Sequence, residues 1–198
     1  MKNTLIALVI AAAAATSASA QSRGDFNLGL GIASVMPKSG NGMLAGGEAN
    51  IGNDIRPTIT AEYFLRDNLG LELLAATPFE HDIHIKGIGF AGTTKHLPPT
   101  VSLNYHFPTN SAFKPYVGAG FQYTAFFQEA SPLGTLELED GFGLAVQVGM
   151  DYQLANGSAL RANLRWMDID AKATLDGADI GTAEIDPYTL NLAYVIKF

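Results

Sequence analysis

The sequence predicts an all-β fold, an eight-stranded antiparallel barrel that spans a membrane, and three observations support this fold class. Apolar and polar residues alternate with a period of two through most of the chain. Short turns and longer loops alternate between these segments. The chain is 47% hydrophobic and only 16% charged, yet after Ala20 it has no run of about 18 apolar residues that could cross a bilayer as a helix.

The N-terminal segment is typical of a secretory signal. Lys2 gives a positive start, residues 5–15 form an apolar run, and the small residues 18–20 form a cleavage site before Gln21. The run is too short to cross roughly 30 Å of hydrocarbon as a helix, so an uncleaved anchor is the poorer interpretation. We therefore expect residues 1–20 to be a cleaved signal peptide and residues 21–198 to be a single barrel domain.

The charge and the cysteine content restrict the function classes. The formal net charge is −7, and Lys and Arg do not cluster, so the phosphate contacts that nucleic-acid binding needs are missing. We predict no nucleic-acid partner. The chain has no cysteine, so an exported fold must be held together without disulfides.

Eight segments carry the alternation. In the clearest one, Leu144, Val146 and Val148 lie on one face while Gly143 and Gln147 lie on the other. The predicted strands span residues 25–36, 56–66, 69–79, 95–107, 113–128, 141–154, 158–169 and 182–198. Alternation alone also fits a soluble, lipocalin-like periplasmic barrel, whose apolar face would point inward.

The connections favour the membrane barrel over the soluble one. Tight turns at 67–68, 108–110 and 155–157 alternate with longer loops, as is typical of barrels with periplasmic turns on one side and outer loops on the other. A Gly-rich stretch at 39–52 is predicted to be one of the outer loops.

Aromatic residues near the predicted strand ends fit the two membrane interfaces. They are Phe26, Tyr63, Tyr105, Phe107, Tyr152, Trp166, Tyr194 and Phe198. Phe198 ends an alternating strand, which looks like the sorting signal that the barrel-assembly machinery reads in outer-membrane proteins. The simpler alternative is that this strand only closes the barrel.

Several stretches of the chain resemble the OmpW family of small outer-membrane barrels. They are NLGLELLAATPFEH from Asn68, HLPPTVSLNYHF from His96, KPYVGAGFQYTAFF from Lys114, GLAVQVGMDYQL from Gly143 and WMDID from Trp166. The resemblance implies an eight-stranded barrel with a narrow lumen in the outer membrane of a Gram-negative bacterium, surrounded by the lipid bilayer and lipopolysaccharide. It also implies uptake of small hydrophobic molecules and, in some members, reception of colicins.

Strand parity predicts a charged plug in the lumen, below an apolar funnel. An eight-stranded barrel is only wide enough for its own side chains or one small ligand, so buried charges must pair across it. The predicted plug residues are Glu62, Glu72, His106, Gln122, Arg161 and Arg165. The predicted hydrophobic funnel consists of Met43, Leu44, Leu74, Phe79, Ile83, Ile85, Ile88 and Phe90.

Three prolines predict a part of the barrel wall with few hydrogen bonds between strands. Pro78 lies near the end of the third predicted strand, and Pro98 and Pro99 lie early in the fourth. Proline has no backbone N–H and cannot donate to a neighbouring strand. The functional interpretation is a lateral opening toward the bilayer, and the alternative is that a strand simply ends early.

Neither a metal site nor an enzyme is predicted. His81 and His84 lie beside acidic residues but lack the further ligands that zinc normally requires. No serine is placed by the sequence to be activated by a histidine, and no cofactor motif is present. The predicted function is passive transfer of small hydrophobic molecules. The alternative is a structural or surface-interaction barrel, a receptor for phage or colicin, with a closed, salt-bridged core.

Overall fold

The computed structural model describes residues 21–198, and the predicted signal peptide lies outside this range. The described residues form fifteen β-strands: β1 (Phe26–Met36), β2 (Met43–Leu44), β3 (Gly47–Ile51), β4 (Asp54–Arg66), β5 (Leu69–Ala76), β6 (Phe79–Ile85), β7 (Gly89–Leu97), β8 (Thr100–His106), β9 (Phe113–Ala130), β10 (Leu136–Leu138), β11 (Gly141–Gln153), β12 (Ala159–Met167), β13 (Asp170–Leu175), β14 (Ala178–Glu184) and β15 (Tyr188–Lys197). They include no helix long and apolar enough to cross a membrane.

Eight of these strands close into an antiparallel barrel in the order β1-β4-β5-β8-β9-β11-β12-β15. The ring closes where β1 pairs with β15, in the register Asn27↔Lys197 through Met36↔Tyr188. Each barrel strand pairs with a neighbour on both sides, which satisfies backbone groups that hydrocarbon cannot. The predicted eight-stranded barrel is therefore confirmed.

The alternation along the barrel strands places apolar side chains outside and polar or small ones inside. Leu30, Val148 and Phe121 are each more than half exposed on the outer face, whereas Asn104 and Gln147 on the inner face are buried. Because the exposed face is apolar, lipid rather than water is its natural surroundings.

Aromatic pairs gather at one end of the barrel, beside the short turns. Phe26 lies 6.1 Å from Phe198 between ring centroids, and the Phe113 and Tyr152 rings are 4.9 Å apart. Such a girdle fits a membrane interface, where amphipathic rings are favoured. The turns beside it mark the periplasmic end of the barrel.

The other seven strands extend the wall beyond the opposite end, in segments that the sequence predicted to be mainly loops. Their pairing order is β10-β13-β14-β2-β3-β6-β7, and β7 continues onto the upper part of β9. The Gly-rich stretch 39–52 thus contains β2 and β3. The loop prediction is wrong here, because glycine turns and irregular pairing interrupt the period of two that marks longer strands.

The outward-facing side chains of this outer extension include charged ones, unlike those of the barrel below. On β6 and β7 they include Glu80, Asp82 and Lys95, whereas lower down they are leucine, valine and isoleucine. Charged side chains facing the hydrocarbon would be costly, so β6 and β7 lie outside the membrane-spanning segments.

Three predicted strand limits differ from the structure by more than two residues. The third barrel strand ends at Ala76 and the fourth begins at Thr100, so all three predicted wall prolines fall between strands. The last barrel strand begins at Tyr188, because residues 182–184 belong to β14 in the outer extension.

Candidate functional site

The centre of the barrel lumen is filled by a network of buried ions built around Arg161. Its guanidinium donates to Glu62 Oε2 at 2.8 Å, to Glu72 Oε2 at 2.9 Å and to Asp151 Oδ1 at 2.7 Å. The Arg161 side chain also lies over the ring of Tyr116, with Cζ 4.8 Å from the centroid. One guanidinium thus joins β4, β5 and β11 to β12 across the lumen.

A second layer of the plug lies above Arg161. Arg165 Nη2 donates to Glu72 Oε1 at 2.7 Å and to Gln147 Oε1 at 2.6 Å. The Gln147 amide donates to Asn104 Oδ1 at 2.6 Å, and Asn163 donates to Gln147 Oε1 at 2.8 Å. The amides satisfy the carboxylate and carbonyl oxygens that the arginines leave free, which is what a buried polar network needs to be stable.

His106 completes the plug on its lower side. Its Nε2 lies 2.8 Å from Glu62 Oε1, and because a carboxylate only accepts, Nε2 must carry the hydrogen. The ring stacks on Tyr116 with centroids 4.8 Å apart. Glu62, Glu72 and Asp151 carry one more formal negative charge than Arg161 and Arg165 carry positive charge, and His106 contacts Glu62.

The plug leaves almost no free space. The cavity among its side chains has a volume of about 10 Å³, which is about what one water molecule needs. No organic solute fits through it without breaking the ion pairs. The lower half of the lumen is therefore closed.

Five of the six predicted plug residues meet in this network: Glu62, Glu72, His106, Arg161 and Arg165. Gln122 does not. Its amide donates to Asp168 O at 2.8 Å, and its oxygen accepts from Thr124, so it lies above the ions.

Tyr116 is a plug residue that the prediction missed, although parity could have found it. It lies on the same face of β9 as Gln122, six residues away. Opposite it, a Cβ on Gly149 would collide with the Tyr116 ring. The glycine makes the room that this ring occupies.

Above the plug, the interior becomes an apolar chamber enclosed by the outer extension. Its buried side chains are Leu44, Ala49, Ile51, Ile83, Ile85, Ala91, Phe126, Leu136, Leu138, Ala145, Met167, Ile169, Ala171, Ala173, Ala183 and Ile185. A smaller buried group of Ala33, Val35 and Phe79 lies apart from it. The space among the upper chamber residues is about 20 Å³, so a ligand must push side chains apart to enter.

The structure places five of the eight predicted funnel residues inside: Leu44, Leu74, Phe79, Ile83 and Ile85. The other three need correction, because Met43, Ile88 and Phe90 are 56%, 47% and 47% exposed. Phe90 packs edge-on against His84, on the outer face. Met43 alternates with the inward Leu44, and Ile88 lies in the turn between β6 and β7.

Two histidines lie on the inner face of the outer wall. His81 and His96 are stacked, with ring centroids 4.9 Å apart and an interplanar angle of 13°. His96 also contacts the rings of Phe79 and Phe126, each at 5.7 Å. His84 points outward instead, so it cannot share a ligand with His81 as a metal site would require. Within residues 21–198 no three metal-binding side chains come together.

The wall has a break in pairing at the predicted prolines. The β5–β8 ladder ends at Leu74↔Thr100, and the β6–β7 ladder begins at Phe79↔His96. Among the described residues, no ladder pair joins 75–78 to 97–99 across this break.

Each side of the break is hydrogen-bonded to the strand that lies next to it on the side away from the break. Thr77 N donates to Pro57 O on β4 at 3.1 Å, and Tyr123 N on β9 donates to Pro99 O at 3.1 Å. This break in pairing, called the slit below, thus lies between two hydrogen-bonded edges, at the outer boundary of the apolar band.

Comparison with known proteins places the whole described chain in one group. The sequence model of the OmpW family matches residues 22–198. The chain is 38% identical to outer membrane protein W of Vibrio cholerae, covering 100% of both chains. It is 36% identical to outer membrane protein W of Escherichia coli, covering 100% of this chain and 99% of that protein. The crystal structure of the outer membrane protein OprG from Pseudomonas aeruginosa is similar with a TM-score of 0.78, at 33% identity, over 90% of this chain and 98% of that one.

Proposed function

The chain belongs to the OmpW family of outer-membrane β-barrels, and on that premise we propose that it passively transfers small hydrophobic molecules from the cell surface into the outer membrane. The cargo enters the apolar chamber from the outside and leaves sideways through the slit at Pro78, Pro98 and Pro99. No chemical step is involved. The uptake that the family resemblance implies agrees with this function.

The observation that carries the proposal is the slit beside an apolar chamber and above a closed plug. An apolar solute in the chamber has two ways out. The lower one runs through Arg161 and its three carboxylates, where separating the buried charges would cost several kcal/mol. The lateral one leads through a wall segment without ladder bonds into hydrocarbon, the environment that an apolar solute prefers.

The backbone around the slit explains why this gap is tolerated. Pro78, Pro98 and Pro99 have no N–H to leave unsatisfied. Pro98 O accepts from Thr100 Oγ1 at 2.9 Å, and Pro99 O accepts from β9. The prolines therefore keep the two edges apart at little cost in unpaired backbone groups.

The test replaces Pro98 and Pro99 together with Val. The change restores two backbone donors and adds β-branched side chains that favour strand pairing. Uptake of a radiolabelled alkane or monoterpene by cells should fall toward the rate of cells lacking the protein. Heat-modifiable migration on gels should show that the barrel still folds.

A matched control is Pro115→Val, which changes a strand proline on β9 that pairs with Met150, away from the slit. It should leave uptake unchanged. If the Val pair has no effect while loosening the plug with Arg161→Ala and Arg165→Ala speeds uptake, cargo passes through the lumen and the lateral exit is wrong.

The closed plug favours one other function. A barrel whose plug has only about 10 Å³ of free space also suits a structural or surface-interaction protein, including a receptor for phage or colicin. Equal uptake of hydrophobic compounds by cells with and without the protein, at limiting concentration, would favour that alternative.

Two partners are part of the proposal. We expect lipopolysaccharide to surround the outer boundary of the barrel. We also expect the barrel-assembly machinery to recognise β15 through the terminal Phe198, which packs on Phe26 at the periplasmic girdle. Deleting Phe198 should lower the amount of folded barrel in the outer membrane, whereas a truncated chain that assembles normally would contradict this role.

A further inference from the structure

The stacked histidines of the chamber have hydrogen-bonding capacity that the protein does not use. His81 and His96 are 1% and 0% exposed. Both ring nitrogens of His96 and Nε2 of His81 have no hydrogen-bond partner. Buried polar atoms are nearly always paired, and leaving one unpaired is costly, so three unpaired nitrogens on two adjacent rings require an explanation.

The hydrogen bond that His81 makes through Nδ1 determines whether its Nε2 donates or accepts. His81 Nδ1 lies 2.6 Å from Gly52 O. Since a carbonyl oxygen only accepts, Nδ1 carries the hydrogen, and in the neutral ring Nε2 is then an acceptor. His81 therefore requires a ligand that donates a hydrogen bond.

His96 offers both kinds of hydrogen bond. A neutral imidazole has one N–H donor and one acceptor nitrogen, and neither nitrogen of His96 is engaged. Burial lowers the pKa of His96 to about 3, helped by the neighbouring His81, and burial also lowers the pKa of His81. Both rings are accordingly neutral near pH 7.

A hydroxyl group matches this set of donors and acceptors. It can donate to His81 Nε2 and accept from the N–H of His96. The two rings are stacked with their centroids 4.9 Å apart, so a hydroxyl group at the edge of one ring also lies beside the edge of the other. An alkane offers neither bond, and an ether or ketone can only accept.

We propose that His81 and His96 bind the hydroxyl group of the cargo, so that the chamber selects apolar molecules carrying one alcohol or phenol group over plain hydrocarbons. This inference rests on the proposed transfer function and names its substrate class. The apolar body of such a molecule would pack among Phe79, Phe126 and Ile83. His96 pairs with Phe79 at the first rung above the slit, so the polar group would be held beside the proposed exit.

The binding test uses the full protein in lipid nanodiscs, with histidine side chains labelled with ¹⁵N, and three probes of similar size: 1-octanol, 1-methoxyheptane and n-octane. 1-Octanol should shift the ring nitrogen signals of both histidines and saturate. The ether, which cannot donate to His81, should bind more weakly, and n-octane should leave the nitrogen signals in place. If 1-octanol moves neither histidine, or if its effect never saturates, the nitrogens hold only water and the proposal is wrong.

The variant His96→Phe keeps the aromatic contacts and removes both nitrogens. It should weaken 1-octanol binding about tenfold and lower cellular uptake of 1-octanol relative to uptake of n-octane. His84→Phe, on the outer face, is the matched control and should change neither. Should His96→Phe fold poorly, His96→Asn retains a donor and an acceptor and should keep much of the alcohol affinity.

The two proposals fail in different ways. If the protein transfers neither n-octane nor 1-octanol into cells, the transfer function is wrong, whatever the nanodisc experiment shows about the histidines. If it transfers both, and His96→Phe changes both equally or neither, transfer is real and selection by the histidine pair is wrong.

Discussion

In the inner half of the barrel Arg161 donates to three carboxylates, whereas in the outer half His96 has no partner for either ring nitrogen. Both residues are buried in the same closed wall. The charged groups of the inner half are paired with one another, although Arg165 Nε and His106 Nδ1 have no partner. In the outer half the buried histidines are not part of any ion pair between side chains. Under the proposed function, the inner half stabilises the barrel and the outer half binds the cargo.

The largest expected effect comes from removing the centre of the plug. Arg161→Ala leaves Glu62, Glu72 and Asp151 buried with fewer partners, which should lower the free energy of unfolding by about 3 to 5 kcal/mol. Urea unfolding in detergent measures it. Arg165→Ala should cost less, because Arg165 is paired with a single carboxylate. The exposed Lys172 provides the control, and a loss at Arg161 no larger than at Lys172→Ala would contradict the assigned role of the plug.

The next largest loss of stability is expected where Gly149 packs closely against the Tyr116 ring. Gly149→Ala should displace the Tyr116 ring and cost about 1 to 3 kcal/mol through overpacking. Gly141→Ala on the same strand is the matched control, since a Cβ there would meet only Asp170 O at 3.5 Å. Equal unfolding midpoints for the two variants would show that the ring has room to move.

The outer half should respond to acid through its neutral histidines. Burial lowers the pKa of His96 from 6.5 in the unfolded chain to about 3 in the folded protein. The neutral buried ring therefore contributes its full stability above pH 6.5, and this stability is lost as the pH falls toward 3. The groups acting on His81 are Asp54, Arg56 and Asp82.

The readout is the difference in unfolding free energy between the unaltered protein and His96→Phe. We expect this difference to move by about 1 to 3 kcal/mol in favour of the variant between pH 6.5 and pH 4. Taking the difference removes the contribution of the plug carboxylates, which both proteins share. A difference that does not change with pH would mean that His96 is already protonated or solvated in the folded state.

The smallest effect is expected at a surface ion pair of the outer extension. Lys38 donates to Glu184 at 2.8 Å and to Asp186 at 2.9 Å, distances like those around Arg161, but a third of its side chain is exposed. Lys38→Ala should therefore cost less than about 1 kcal/mol and less still in high salt. A loss as large as that of Arg161→Ala would mean that distance, and not burial, decides the strength of these pairs.

The barrel strands could be predicted because lipid imposes a long, regular alternation on them. The hairpin of β6 and β7 could not be recognised in the same way. Its pairing shifts between Ile83 and His84, and Gly87 and Gly89 adopt positive φ in its turn. Buried and exposed residues still alternate along the short β6, but Ala91 is an extra residue on β7 that breaks the period there. The sequence pattern therefore indicated a loop.

Parity also predicted which charges face the lumen, but it could not predict their partners. Glu62 lies on β4 and Arg161 on β12, and their contact depends on the closure of the whole ring. The histidines show the same limit. Spacing suggested His81 with His84, whereas the hairpin register places His81 beside His96.

The break in pairing at the prolines, the slit, has a definite length. It is tied below by the rung Leu74↔Thr100 and above by the rung Phe79↔His96. It can widen only as far as the hydrogen-bonded rungs at its two ends permit. Under the proposed lateral route, the cross-section of a cargo is therefore limited but its length is not. A slender chain of many carbons would pass end-on, while a compact fused ring system of the same mass would be held back.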